Sequence, residues 1–379
     1  MAPKTAPQRI IGRTRAGSSE SSNRPDVELL PNASPVQRFI AEEVWPAWDE
    51  LRDVPKISST QRMMYNALKR RSIRVRKVDE SRKTFLYNGE VIGGMQGLRS
   101  TTLVSAQARD VCASKLLTKR YLTAAGIPTP RGKSFAEDEF PEAEIFAATL
   151  ARPAAVKPDS AGAGRGISLR LQHNSELPAA WNRALENRSE QEGATGRVLI
   201  EEHVTGLDLR AVVVGVHVVA AAVRVPLFVV GDGEKSVEEL LKDSTAHRKR
   251  HQLLHRRGVA YDDEQLRRAG TGRTAVPQRG ELLILSATAN LHAGGIPVDV
   301  TDAIPEELKE LAVNAAWSVP GLRASAVDVI LPSLHSTEGA EVIEVEDSPD
   351  PMPHVYPAFG KLRRVASAMA NEILLEGED

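Results

Sequence analysis

The spacing of apolar residues predicts two β-strands joined by a glycine-rich loop near the middle of the chain. Residues 154–156 form a short apolar run, and residues 167–171 alternate between apolar and polar side chains. This alternation has the period of a half-buried strand. The pattern therefore favours a hairpin over a loop that leads into a helix. It lacks the Gly-Lys-Ser/Thr of a Walker loop and the strand-to-helix Gly-x-Gly-x-x-Gly of a dinucleotide fold.

The loop of this hairpin has the composition of a phosphate-binding flap. Gly162, Gly164 and Gly166 carry no side chains that would keep a ligand away from the backbone N–H groups. Lys157 and Arg165 add positive charge at the same place. We expect the loop to cover phosphate groups, and the alternative is an ordinary flexible hairpin tip.

A second pair of strand-like runs, 324–331 and 341–346, carries carboxylates. If the connecting segment turns near its middle, Asp328 lies opposite Glu344, and Glu346 shares the face of Glu344. Two carboxylates about 4 Å apart repel by about 4 kcal/mol at an effective dielectric near 20. A divalent cation bound by oxygen ligands would offset this repulsion. The sequence therefore predicts a metal site, against the alternative of solvated charges on an exposed sheet.

Periodicity along the rest of the chain alternates between helical and strand-like. Apolar spacing predicts helices in four places, namely after residue 35, around 63–68, over 106–125 and over 177–185. Strands are expected over 72–78, 84–92, 197–204 and within 209–230. The arginine- and histidine-rich stretch 247–268 reads as a solvated helical surface or a mobile insertion. Residues 1–26 are basic and serine-rich and are expected to be a disordered tail; a transit peptide is the alternative.

Composition narrows the class of protein. The 379 residues are 41% hydrophobic and carry a formal net charge of -1, so nothing in the overall charge points to nucleic acid as a partner. A single cysteine, Cys112, fits a reducing, cytoplasmic setting and is expected to be a small buried hydrophobic residue. No apolar run reaches the about 18 residues of a membrane span. We expect a multidomain globular protein that neither binds nucleic acid nor enters a membrane.

Ordered blocks of residues carry a resemblance to a known family. They include Val-Lys-Pro at 156–158, Gly-Arg-Gly at 164–166 and Ile-Glu-Val-Glu at 343–346. The other blocks are 115–130, 200–202, 206–210, 224–233, 289–295, 299–302 and 354–361. Together they resemble the ATP-grasp superfamily, most closely the ligase domain of cyanophycin synthetases and more distantly glutathione synthetase.

The resemblance implies an α/β fold in which two α/β subdomains clasp ATP, preceded by an N-terminal α/β pre-ATP-grasp domain. The boundaries expected on this basis are 27–110 for the N-terminal domain, 111–200 for the central subdomain with the glycine hairpin, and 201–379 for the C-terminal subdomain with the metal site. The implied cofactors are ATP and magnesium, as two ions, with manganese as an alternative.

The resemblance also implies roles for individual residues. Nucleotide contacts are expected from Lys115, Lys119, Lys157, Gly162, Gly164, Arg165, Gly166, Glu201, Glu202, His203, Val204 and Asp208. The metal ligands implied are Asp328, Glu344 and Glu346. Residues implied at the transferred phosphoryl group are Arg210, Arg224 and Lys157. Residues implied on the acceptor side are Asn290, Gly294, Gly295, His354 and Tyr356.

The activity that the resemblance implies is an ADP-forming ligase that joins a small-molecule carboxylate to an amine, both drawn from amino acids or peptides, as in specialised metabolism. Three departures from the family bear on it: Glu346 replaces the usual asparagine, Ala163 stands where histidine is frequent, and no second, Mur-like ligase domain follows. Polymer synthesis by two alternating ligases is therefore not expected. The alternatives are a non-catalytic nucleotide-binding protein and a kinase that phosphorylates a hydroxyl. A homodimer is compatible with the sequence.

Overall fold

The computed structural model describes residues 10–11, 24–160, 164–172, 174–189 and 196–378. The strands are β1 Arg74–Lys77, β2 Arg82–Tyr87, β3 Glu90–Gln96, β4 Arg99–Ser100, β5 Gly132–Phe135, β6 Ala154–Pro158, β7 Ser168–Leu171, β8 Val198–Glu202, β9 Leu207–Val214, β10 His217–Val225, β11 Phe228–Val230, β12 Leu282–Ile284, β13 Ile296–Asp299, β14 Ala324–Leu331 and β15 Glu341–Glu346. The α-helices are α1 Pro35–Phe39, α2 Thr60–Lys69, α3 Ala106–Ala113, α4 Lys115–Ala124, α5 Phe140–Ala147, α6 Leu177–Glu186, α7 Val237–Arg248, α8 Gln252–Arg257, α9 Asp263–Arg268, α10 Glu306–Trp317, α11 Met352–Val355 and α12 Val365–Glu378.

The chain divides into two compact units. The described residues of the first unit fall within 1–57, 222–303 and 356–362, and those of the second within 58–221, 304–355 and 363–379. Strand β10 contributes residues to both units. The three domain boundaries expected from the sequence stay a prediction.

The glycine hairpin belongs to a four-stranded antiparallel sheet of the second unit, in the order β5-β8-β6-β7. The predicted pairing of the two strands on either side of the glycine loop is confirmed, because β6 pairs with β7. Helix α6 covers this sheet, and Trp181 and Leu177 pack with Phe135 and Ile200 in its core. Helix α6 also confirms the helix predicted over 177–185.

Two other groups of strands complete the second unit. Strand β14 lies between β9 and β15, antiparallel to both, and helix α10 packs against β14. Strands β1 to β4 form a separate antiparallel sheet that contacts helices α2 and α12. The strands predicted around 72–92 are therefore confirmed, with the turn at Asn88 and Gly89 between β2 and β3.

The first unit contains two short strand pairs and an aromatic cluster. Residues 222–225 of β10 pair with β13, and β11 pairs with β12. The ring of Trp48 lies 5.4 Å from the rings of both Phe228 and His247 and 6.2 Å from that of Phe359. Buried aromatic surface thus holds together segments that are far apart in sequence.

Parts of the predicted tail make specific contacts in this unit. Arg24 forms an ion pair of 2.5 Å with Asp49, and the indole of Trp45 donates a hydrogen bond of 2.8 Å to the carbonyl of Pro25. Residues 1–9 and 12–23 of that tail lie outside the described residues.

Two sequence predictions are corrected. The helix expected over 106–125 is two helices, because Ser114 adopts an extended backbone, ends α3 and caps α4. The stretch 247–268 is not a solvated surface throughout. Arg248 is 2% exposed and His251 is fully buried, since α8 and the end of α7 are part of the core of the first unit.

Among the described residues, no helix combines the length and the apolar character needed to cross a bilayer.

Candidate functional site

Two lysines of the second unit meet on one buried carboxylate. Lys119 on α4 and Lys157 on β6 both form ion pairs with Glu201 on β8, and the Lys119–Glu201 distance is 2.9 Å. Lys119 also donates to the hydroxyl of Thr129 at 2.9 Å and to the carbonyl of Pro130 at 2.8 Å. Lys119 is therefore held in place by two hydrogen bonds and one ion pair.

Burial acts in opposite directions on the pKa values of Glu201 and Lys119. Glu201 is fully buried, which by itself would raise its pKa, but Lys157 and Lys119 bring the pKa below its usual value. Burial lowers the pKa of Lys119, and Glu201 only partly compensates. The carboxylate is thus held ionised, and both ammonium groups are kept in place beside it.

The start of helix α4 is fixed by a residue from the end of β6. Asp159 is buried, and its carboxylate accepts hydrogen bonds from the Leu116 N–H at 2.8 Å and the Ser114 hydroxyl at 2.9 Å. Ser114 in turn accepts from the Leu117 N–H at 3.1 Å. Carboxylates and hydroxyls at a helix N-terminus satisfy N–H groups that lack a partner within the helix. This cap sets the position of Lys115 and Lys119 on one face of the helix.

The three carboxylates predicted from the second hairpin come together. Asp328 lies directly opposite Glu344 in the β14–β15 pairing, as the sequence predicted. One oxygen each from Asp328, Glu344 and Glu346 can be chosen so that all lie within 4.8 Å of one another. Because the donors are all carboxylate oxygens, the cluster fits a hard divalent cation such as magnesium or manganese.

The same carboxylates are paired with cations of this chain. Arg210 on β9 lies opposite Asp328 and contacts it through two hydrogen bonds of 2.7 and 2.8 Å, and it contacts Glu346 at 2.7 Å. Lys115 forms an ion pair of 3.0 Å with Glu344. Burial opposes the charge of both cations, but their carboxylate partners raise the pKa of Lys115 and bring that of Arg210 well above its usual value. Cationic groups therefore already offset the repulsion within the trio.

The segment around Glu202 and His203, predicted to contact the nucleotide, is anchored by an arginine that the sequence did not single out. Arg152 donates to Glu202 at 3.0 and 2.8 Å and also pairs with Glu341 at the start of β15. The backbone N–H of His203 donates to the Pro153 carbonyl at 2.7 Å. Burial and the nearby Arg170 lower the pKa of the His203 imidazole to about 4, so this ring is neutral at pH 7.

The described part of the glycine loop is a turn. Gly164 and Gly166 have positive φ angles of 72° and 70°, and a Cβ on Gly166 would lie 2.7 Å from the Cβ of Asn187. Glycine is therefore required at position 166. Arg165 between them is exposed, whereas Gly162 lies outside the described residues. Asp208 and Val204 lie on and before β9, each partly exposed.

Most residues predicted on the acceptor side belong to the first unit. Arg224, predicted at the transferred phosphoryl group, also lies in the first unit, on β10 opposite Pro297. The side chain of Asn290 accepts from the His292 N–H at 3.2 Å and begins a tight turn that ends at Gly294, whose φ is 83°. Tyr356 is partly buried in the same unit, and His354 is buried on α11 of the second unit. The roles predicted for these residues, and for the nucleotide and metal residues, stay predictions.

Sequence reasoning missed Arg152, Asp159 and Arg248. Asp159 directly follows the Val-Lys-Pro block, so its position was a usable signal, but its partner helix could not be read from the sequence. Arg152 and Arg248 lie in segments that show no motif.

Comparison with known proteins identifies the family to which this chain is similar. The family model described as the phosphoribosylglycinamide synthetase ATP-grasp (A) domain matches residues 113–236, which hold α4, the glycine hairpin and β8 to β11. The chain belongs to the ATP-grasp superfamily. Members of this superfamily use ATP and divalent cations.

Individual relatives extend the similarity over most of the chain. A cyanophycin synthetase of Nostoc sp. is 32% identical over 273 residues, covering 69% of this chain and 29% of the relative. The glutathione biosynthesis bifunctional protein GshAB of Pasteurella multocida is 26% identical over 386 residues, covering 99% of this chain and 49% of the relative. The crystal structure of a bifunctional glutathione synthetase from Pasteurella multocida has a TM-score of 0.56 at 25% identity and covers 84% of this chain and 44% of that one. This ATP-grasp chain therefore spans half or less of the length of these relatives.

Proposed function

We propose that the protein is an ADP-forming ligase that joins the carboxylate of an amino acid or small peptide to an amine. The observation that carries the proposal is the pair of clusters in the second unit, with two lysines on Glu201 and three carboxylates on β14 and β15. One cluster suits phosphates and the other suits the cation that accompanies them. The names of the relatives support ligation, since a cyanophycin synthetase and a glutathione synthetase both build amide bonds.

The chemistry follows from the charges. A carboxylate oxygen of the substrate attacks the γ-phosphorus of ATP, the bond to the β-phosphate oxygen breaks, and ADP leaves. The acyl phosphate is then attacked at carbon by the amine, phosphate leaves with the bonding electrons, and the ammonium proton passes to solvent. Phosphoryl transfer depends on positioning and charge neutralisation, so lysines and arginines contribute more than any single nucleophile.

We assign roles to the residues on this basis. Lys119 and Lys157 would bind ATP phosphates, with Lys115 as a third cation, and the turn around Gly164 would cover them. Glu201 and the backbone of residues 202–204 would flank adenine, and Asp208 would hold the ribose. Asp328, Glu344 and Glu346 would hold one or two magnesium ions, which when bound neutralise charge on the phosphates. Arg210 and Arg224 would stabilise the transferred group.

The close pairing of Arg210 with Asp328 and Glu346 adds a requirement. These contacts use Nε and Nη2, so Arg210 would contact the transferred phosphoryl group either through Nη1 or by exchanging a carboxylate contact when magnesium and ATP are bound. The neutral His203 imidazole, by contrast, adds no positive charge near the adenine segment. A cytoplasmic location is also part of the proposal, and the single cysteine supports it because no disulfide is needed.

The experiment is a hydroxylamine trap. The protein is supplied with ATP, magnesium and pools of amino acids and short peptides, with hydroxylamine in place of the amine. We expect ADP, phosphate and a hydroxamate, because hydroxylamine captures activated acyl groups. AMP with pyrophosphate would refute the acyl-phosphate route. ADP that depends on a hydroxyl substrate, without hydroxamate, would identify a kinase, and ATP binding without turnover across the pools would identify a non-catalytic protein.

A further inference from the structure

Arg248, the last residue of α7, is a buried arginine with no acidic partner among the described residues. It is 2% exposed, and burial alone lowers its pKa, to about 10. Its Nη1 donates a hydrogen bond of 2.6 Å to the carbonyl of Gly294. Its other nitrogens, Nε and Nη2, are buried and have no hydrogen-bond partner among the residues that the structure describes.

The two unpartnered nitrogens form one edge of the guanidinium. The N–H groups of Nε and Nη2 point in parallel from the same side of the planar group, and this edge matches the two oxygens of a carboxylate. Nη1 faces away from that edge and holds Gly294. Nη1 is therefore hydrogen-bonded to the backbone, whereas the Nε–Nη2 edge, which suits a carboxylate best, has no hydrogen-bond partner among the described residues.

Such an arrangement is costly unless an anion completes it. Both a buried charge without a partner and a buried donor without an acceptor are strongly unfavourable. Other buried or half-buried cations of this chain, including Lys119, Lys157 and Arg210, have carboxylate partners. Arg248 differs from them in this respect.

The turn at Gly294, whose carbonyl Arg248 contacts, tolerates little change in its backbone conformation. Gly294 has a φ of 83°, and a Cβ on Gly295 would lie 2.4 Å from the carbonyl oxygen of Ala289. Asn290 caps the turn through its side chain. Arg257 is only partly buried and contacts the ring of His292 within the same turn. The turn is thus contacted by one buried and one partly exposed arginine, which gives a matched pair for a test.

We propose that Arg248 binds the carboxylate of an amino-acid substrate through its Nε–Nη2 edge. The proposal rests on the ligase function above and narrows its substrate class to molecules that carry a free carboxylate besides the reacting group. A carboxamide offers one oxygen acceptor and an NH₂ that meets a donor, so it cannot replace the carboxylate. Because the edge is buried, entry of the carboxylate requires a local opening of the segments around the turn.

The test begins with binding, which does not depend on turnover. The complete wild-type chain is titrated with each standard amino acid and with the matching α-carboxamide, and the thermal shift and calorimetric affinity are recorded. We expect at least one amino acid to bind at least about a hundredfold more tightly than its amide, since a site built for a polar group rejects an analogue that leaves it unpaired. Equal binding of acid and amide, or no binding of any amino acid, overturns the proposal.

Variants then identify the residue. Arg248→Lys keeps a charge but lacks the planar fork, and Arg248→Gln removes the charge, so the preference for acid over amide should fall about tenfold or more in the first and vanish in the second. Arg257→Gln should leave it unchanged. If Arg248 only fastens Gly294, the variants lower thermal stability but keep the preference, which contradicts the proposal. If acids bind as expected but no hydroxamate forms, the ligase function fails while the carboxylate site stands.

Discussion

At the scale of single residues, Glu201 is the shared ion-pair partner of the two lysines in the candidate phosphate site. It is buried at 2% exposure and pairs with both Lys119 and Lys157. A buried carboxylate between two ammonium groups keeps one net positive charge in the cluster, which suits a nucleotide phosphate. Loss of one lysine leaves Glu201 with the other, so the cluster is altered without leaving a buried charge unpaired.

Lys157→Ala should therefore lose activity and keep its fold. Removing a donor that stabilises charge in a transition state costs about 3–4 kcal/mol of barrier, or about 10²- to 10³-fold in kcat/KM. The measurement is ADP release with the substrates found by the hydroxylamine trap, with circular dichroism as the check of folding. Lys133→Ala, which replaces an exposed lysine on β5 of the same sheet, is the control. Near-normal turnover of Lys157→Ala would contradict the phosphate role.

Glu346 tests the metal site. We expect Glu346→Asn to weaken magnesium or manganese affinity about tenfold or more and to leave some activity, because asparagine supplies one neutral oxygen at the same place. Manganese titration followed by electron paramagnetic resonance measures the affinity directly. Glu338→Gln removes a charge from the exposed turn of the same hairpin and serves as the control. Equal affinity in Glu346→Asn and wild type would mean that Glu346 serves Arg210 alone.

At the scale of elements, helix α4 connects the two clusters of the second unit. Its first residue, Lys115, reaches Glu344 on β15, and Lys119 one turn later reaches Glu201 on β8. Asp159 from the end of β6 fixes the N-terminus of this helix. The position of two cations therefore depends on one buried cap.

Asp159→Ala should lower both stability and nucleotide affinity. Loss of a helix cap costs about 0.5–2 kcal/mol, and the displaced helix would carry its two lysines away from the nucleotide. Urea unfolding gives the first effect, and titration with a non-hydrolysable ATP analogue gives the second. Ser59→Ala removes the cap of α2 in the same unit and should lower stability by a similar amount with unchanged nucleotide affinity. Unchanged nucleotide affinity in Asp159→Ala would mean that the cap does not position the lysines that bind the nucleotide.

At the scale of the whole molecule, the residues proposed for phosphates and metal belong to the second unit, apart from Arg224 in the first. The chain spans half or less of the length of the cyanophycin synthetase and the GshAB protein that it matches. The proposed activity therefore has to be measured on this chain itself, because neither relative's full reaction can be assumed for it.

Bound nucleotide should stabilise the second unit, and most strongly the elements that carry the proposed site residues. At a ligand concentration of about 100 times the Kd, binding adds about 2.7 kcal/mol to the free energy of unfolding. Amide hydrogen exchange with magnesium and the ATP analogue should slow most in α4, β8 and β15. Slowing confined to β1–β4, which carry none of the proposed residues, would contradict the assigned site.

The sequence by itself determined the elements that local pattern controls. Alternating side chains predicted the β6–β7 hairpin, and the same period placed Asp328 opposite Glu344, because strand pairing across a short connection follows from register alone. The ordered blocks were also sufficient to indicate the superfamily. The break at Ser114 was missed, since a cap inside a continuous helical pattern depends on the distant Asp159.

Only the tertiary structure decided which charges meet. Glu201 holds Lys119 and Lys157 across gaps of 82 and 44 positions, and Arg210 reaches Asp328 across 118. The tertiary structure also shows that Arg248 is a buried cation, in a stretch whose composition predicts a solvated surface. Local composition fixes secondary structure through nearby backbone and side-chain geometry. Burial and ion pairing depend on which distant segments pack together, and one sequence does not contain that information in any single stretch.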